Sequence, residues 1–97
     1  MKLSPEQIEK LKLFFSNKPV KKAYIFGSYA RGDADEKSDI DILVELDYSQ
    51  HIGLQFGGML MDLQDLMHSK VDLVSANGIS KYIKPYIEKD KILIYER

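Results

Sequence analysis

Asp39 and Asp41 are two residues apart in Ser38-Asp39-Ile40-Asp41-Ile42-Leu43-Val44. In an extended chain, alternate side chains share a side, so these two carboxylates face together while Ile40 and Ile42 face the other way. Neighbouring carboxylates repel and raise each other's pKa unless a cation neutralises them. Mg²⁺ suits the pair, since it takes one or two carboxylates and completes its shell with water and phosphate oxygens. Upstream, Gly27-Ser28 follows the apolar run Ala23-Tyr24-Ile25-Phe26. A strand that turns at Gly-Ser into a short helix presents backbone N–H groups and a hydroxyl, a cradle for phosphate. Gly27 gives a ligand room to approach the main chain. A phosphate cradle beside an Asp pair points to chemistry on a nucleoside triphosphate. Asp72 is a third carboxylate, set inside the apolar run Val71-Asp72-Leu73-Val74.

Each of these residues also has a plainer explanation. Asp39 could cap a turn after Ser38, and Ser28 could be no more than a helix cap. Arg31 either contacts phosphate or forms a salt bridge to Asp33 or Asp35, and Ser38 either orients the loop or touches substrate. Asp41 is the hardest to explain away, because a carboxylate in an apolar strand needs a metal, a cation or a strong hydrogen-bond set.

Gly27-Ser28, residues 29–38, then Asp39-x-Asp41, with Asp72 in a later strand, resembles the signature of the polymerase-β-like nucleotidyltransferase superfamily. The likeness is greatest to its smallest branch, the minimal nucleotidyltransferase domains that serve as antitoxins beside HEPN-domain toxins. It runs from the first strand through Val71–Val74 to Ile92-Leu93-Ile94-Tyr95. The resemblance implies two Mg²⁺ ions held by Asp39, Asp41 and Asp72, with Asp72 beside the attacking hydroxyl. It implies nucleotide contacts from Gly27, Ser28, Arg31 and Ser38. It also implies transfer of AMP from ATP to a hydroxyl, expected to be a tyrosine of a HEPN toxin. Two other functions remain open at this point: an antitoxin that inhibits its partner by binding alone, and nucleotidyl transfer to a small molecule or RNA. The chain offers no evident second domain for such acceptors, which ranks that last reading lowest.

The rest of the chain must position these groups. Its 97 residues, 44% of them apolar, fit one domain over residues 1–97 with an ordinary core. A formal charge of −1 argues against a dedicated nucleic-acid binder. The absence of cysteine removes disulfide and thiolate chemistry and fits the cytoplasm. No signal peptide or membrane-spanning run is evident.

Ser4-Pro5-Glu6-Gln7 reads as a helix start with a capping box, and Ile8, Leu11 and Phe15 give that helix a core-facing stripe. Val20–Phe26 and Asp39–Leu46 read as strands, joined by a turn, a short helix to about Gly32 and a polar loop. The longest helix is expected from His51 to about Met67, with a stripe of Ile52, Phe56, Leu60, Leu63 and Met67. Leu54, Met59, Met61 and Leu66 broaden its apolar surface, for burial on two sides or for a partner. Gly57-Gly58 marks a close backbone approach, a kink or a later helix start. A third strand at Val71–Ser75 precedes a last helix from Lys81 to about Lys89, interrupted by Pro85. Ile92–Tyr95 would be a short final strand or an extended tail at the sheet edge. His51 and His68 read as surface residues, and Lys81, Lys84, Lys89 and Lys91 as a solvated basic face. The expected fold is α/β (α+β), a small mixed sheet with the three aspartates on one face and helices packed on the other.

Overall fold

A computed structural model describes residues 1–97, and its centre is a four-stranded mixed sheet in the order β3-β2-β1-β4. The strands are β1 (Val20–Phe26), β2 (Ile40–Leu46), β3 (Val71–Ser75) and β4 (Ile92–Glu96). β1 pairs antiparallel with both β2 and β4, whereas β2 and β3 run parallel. That parallel pair requires a crossover, which α3 (Gln55–Met67) supplies. β4 takes the sheet edge, as its sequence predicted.

Alternation in the strands decides which residues face which layer. Ile40, Ile42 and Val44 of β2, Ala23 and Ile25 of β1, and Val71 and Leu73 of β3 join one core. Against them lie Leu11 and Phe15 of α1 (Pro5–Ser16) and Met59, Leu63 and Met67 of α3. α1 starts where Ser4 predicted: Ser4 Oγ accepts from Gln7 N at 3.1 Å and Gln7 Oε1 accepts from Ser4 N at 2.8 Å.

The opposite face carries Tyr24, Leu43 and Asp41. It is not left bare of helix. Ile87 of α4 (Lys84–Asp90) packs there with Tyr24 and Leu43, so the helices occupy both faces rather than one. Lys91 continues the contact, its Nζ 4.5 Å from the Tyr24 ring centre, and pairs with Glu88 at 3.0 Å. It is therefore part of α4's seating, while Lys81, Lys84 and Lys89 are exposed as expected.

Two helix starts differ from the sequence reading. α3 begins at Gln55 rather than His51, because Gly53 takes φ +44° and the preceding residues form a turn closed by Gln55 N on Ile52 O at 2.8 Å. Gly57 and Gly58 lie inside α3 on its open side, with nothing within 4 Å of an added Cβ, so they mark no close approach. The buried stripe is Met59, Leu63 and Met67; Phe56 and Leu60 are half-buried, and Leu54 and Met61 are exposed. α4 begins at Lys84 rather than Lys81. Ser80–Ile83 forms a separate turn, and Pro85 sits in the first helical turn, where its missing N–H costs nothing.

Candidate active site

The three aspartates meet where β1 ends and β2 and β3 begin. Asp41 is the second residue of β2, with Phe26 opposite it on β1 and Asp72 opposite it on β3. The parallel register therefore puts Asp41 and Asp72 side by side on the same face. Asp39 precedes β2 by one residue, so the strand is shorter at that end than the expected Asp39–Leu46. Asp39 and Asp41 are half-buried and Asp72 is exposed.

Burial, then the negative charges of Asp72 and Asp39, push the Asp41 carboxyl up from 3.8 to about 6. The Arg31 guanidinium pulls it in the other direction. Three charged groups, from a loop, a strand and a helix, thus act on Asp41. The donors are all hard carboxylate oxygens, the type Mg²⁺ takes, and their mutual repulsion is what a divalent cation would relieve. The carboxylates are electrostatic neighbours without being drawn together into a metal-binding cluster.

Gly27 connects this acidic corner to α2 (Ser28–Arg31). Its backbone stands at φ +72°, ψ −150°, a region essentially reserved for glycine. An added Cβ would overlap Asp41 Oδ2 and lie 3.2 Å from Asp41 Cγ. Conformation and space therefore both require glycine here, and the same contact places the α2 start directly beside Asp41. Gly27 O accepts from Ala30 N and Arg31 N, each at 3.0 Å, and Gly32 closes the helix in the left-handed conformation. Tyr29 and Ala30 anchor α2 in the core.

The remaining expected residues lie farther out. Arg31 forms the salt bridge that its loop neighbours suggested, Nε to Asp33 Oδ2 at 3.1 Å. It forms a second one that local sequence did not suggest, Nη1 to Asp90 Oδ2 at 2.7 Å. Ser38 orients the loop: its Oγ accepts from Asp35 N at 2.9 Å and lies 3.2 Å from Asp35 Oδ1. Glu45 shares the face of Asp41 but lies farther along β2, where it accepts from Tyr24 Oη at 3.0 Å. Burial and that carboxylate raise the Tyr24 phenol to about 12. His51 and His68 are exposed and outside the site. A concavity of about 480 Å³ lies elsewhere, between α1 and β4, and none of the three aspartates lines it.

A mixed sheet with this Gly-Ser turn and strand-borne aspartates defines a nucleotidyltransferase. The chain belongs to the family described as polymerase beta, nucleotidyltransferase, which matches residues 9–97. Among its relatives, a Methanocaldococcus jannaschii protein described as a candidate protein adenylyltransferase is 50% identical over 76 residues, 77% of this chain and 76% of the relative. The protein adenylyltransferase MntA of Thermococcus cleftensis is 32% identical over 75 residues, 77% of this chain and 75% of the relative. A solved toxin–antitoxin structure with AMP-PNP shares the fold at TM-score 0.79 and 22% identity, covering 93% of this chain and 73% of that one. So does a complex of tri-AMPylated Shewanella oneidensis HEPN toxin with MNT antitoxin, at TM-score 0.72 and 19% identity, covering 95% and 71%. No helix is long and apolar enough to cross a membrane.

Proposed function

We propose that this chain is a Mg²⁺-dependent protein adenylyltransferase that moves AMP from ATP to a tyrosine hydroxyl of a HEPN-domain toxin, and so acts as its cytoplasmic antitoxin. The observation that carries the chemistry is the contact of the glycine turn with Asp41, itself paired in register with Asp72. Triphosphate held at Gly27 and Ser28 is thereby adjacent to the carboxylates. The names of the relatives support a protein acceptor, and the toxin–antitoxin neighbours support the kind of partner.

In the proposed reaction, the acceptor oxygen forms a bond to the α-phosphorus, the α–β phosphoanhydride bond breaks, and pyrophosphate leaves. Asp72, the most exposed of the three, takes the proton of the hydroxyl. Asp39 and Asp41 would hold the metal, with Asp72 as a further ligand if it does not take the proton; the metal would supply neutralisation of the negative charge that develops during transfer. The Gly27-Ser28 turn orients the phosphates, and the fixed charges around Asp41 set the local field. No dedicated nucleic-acid surface is needed for this transfer.

The test is the intact mass of the protein encoded next to this chain, expected to be a HEPN-domain toxin, after incubation with it and Mg-ATP. A gain of adenylyl units, lost on Asp39→Asn/Asp41→Asn, is expected. A stable complex with unchanged mass would replace this reading with inhibition by binding alone. Neither mass gain nor complex would turn the search to other acceptors.

A further inference from the structure

Arg31 is gripped by two carboxylates from separate parts of the chain. Asp33, in the loop after α2, takes Nε at 3.1 Å, and Asp90, the last residue of α4, takes Nη1 at 2.7 Å. The remaining terminal nitrogen, Nη2, is not used in either bridge. Arg31 stands three residues after Ser28 in α2, which puts both side chains on one side of that short helix. A guanidinium fixed at two nitrogens has little freedom left in the direction of the third.

Asp90 is also oddly placed for a residue serving only its own helix. It closes α4, where the helix dipole presents negative charge and favours a cation. α4 has other anchors: Ile87 packs on Tyr24 and Leu43, and Lys91, just past its end, lies over the Tyr24 ring. The Asp90 side chain is only 17% exposed, whereas that of Arg31 is 48% exposed, so the fixed end of the bridge is the carboxylate.

We infer that Asp90 is a positioning residue for nucleotide: with Asp33 it fixes the Arg31 guanidinium so that Nη2 is offered to a phosphate lying at the Gly27-Ser28 turn. The inference rests on the nucleotidyl-transfer reading above and adds to it a residue from the far end of the chain. Asp90 touches no substrate itself. It acts by removing the conformations in which the long Arg31 side chain would point elsewhere.

Calorimetric titration of the full chain with AMP-PNP in the presence of Mg²⁺ tests it. Asp90→Ala is expected to weaken binding roughly five- to tenfold, the scale of one charge-assisted hydrogen bond made less well. Asp90→Glu should restore part of the loss, which a mere packing role would not predict. In an Arg31→Ala background, Asp90→Ala should cost nothing further, since its effect passes through the guanidinium. Melting curves of each variant confirm that folded protein is being titrated, with Asp90→Glu carrying the comparison if Asp90→Ala is unfolded. Wild-type affinity in Asp90→Ala, or the same loss in both backgrounds, would overturn the positioning role and leave the nucleotide site standing. A wild-type chain that does not bind AMP-PNP would overturn the nucleotide reading and this inference with it.

Discussion

Replacing Gly27 by alanine should destabilise the protein by about 2–4 kcal/mol, through two costs that can be separated. The first is conformational: φ +72°, ψ −150° is a region that side chains avoid, at a cost of about 1–3 kcal/mol. The second is steric. The new methyl would overlap Asp41 Oδ2 and come within 3.5 Å of Asp41 Cβ, so the carboxylate must leave its rotamer, at about 0.5–1.5 kcal/mol. Asp41→Ala removes the obstructing carboxylate and leaves the backbone cost untouched. Gly27→Ala should therefore cost about 1 kcal/mol less in an Asp41→Ala background. Urea denaturation of the four proteins measures this as a double-mutant cycle, read from midpoints at constant slope. A loss below about 0.5 kcal/mol for Gly27→Ala would refute the conformational argument. An equal loss in both backgrounds would refute the claimed contact with Asp41.

Asp41→Asn should raise the stability of the metal-free protein at pH 7.5. The folded carboxyl, at about 6, lies above its ordinary 3.8, so the charged form is the one that folding disfavours. The penalty is absent below the unfolded value and complete above the folded one. The gain should thus appear between pH 4 and 7 and reach on the order of 1 kcal/mol after solvent screening; thermal melts across that range would show it. Gly58→Ala should stabilise α3 by about 0.5–1 kcal/mol, since the site is helical and open, and a drop in melting temperature would contradict that description. Ser4→Ala should cost about 1 kcal/mol by removing the α1 cap, as measured by denaturation. Asp47 is held well below the usual carboxylate range, first by Ser49 and then by Arg97. Its contribution is present above the unfolded value and lost as pH falls through the folded one. Asp47→Asn should therefore speed amide exchange in β4 at neutral pH and change little in strong acid.

Local patterns in the chain disclosed the strands, the α1 cap and the acidic pair, because each rests on neighbours in sequence. Alternation around Ile40–Val44 placed Asp41 opposite the core face, and the Ser4/Gln7 spacing located a helix start. The α3 start is not legible in the pattern, because the apolar stripe continues back through Ile52, whereas the backbone of Gly53 ends the helix first. The side on which α4 packs could not be read from its own sequence, since Ile87, Tyr82 and Tyr86 are all apolar enough to be core candidates. Only Ile87 finds Tyr24 and Leu43; Tyr82 and Tyr86 remain exposed. Arg31 had two local acidic candidates, and Asp33 was one of them. Asp90 was out of reach, being brought to Arg31 by tertiary packing, although an aspartate at a helix C-terminus was a faint signal of a distant cation.

The parallel pairing of β2 with β3 has a consequence for the newly made chain. The glycine turn and the first two aspartates emerge early, yet Asp72 reaches Asp41 only after α3 has crossed over and the sheet has gained its third strand. Contacts between segments so separated in sequence form late, because the intervening loop must first be closed. The full set of carboxylates is consequently a product of completed folding. A nascent or truncated chain can display the recognisable motif, but only the finished domain assembles its charge.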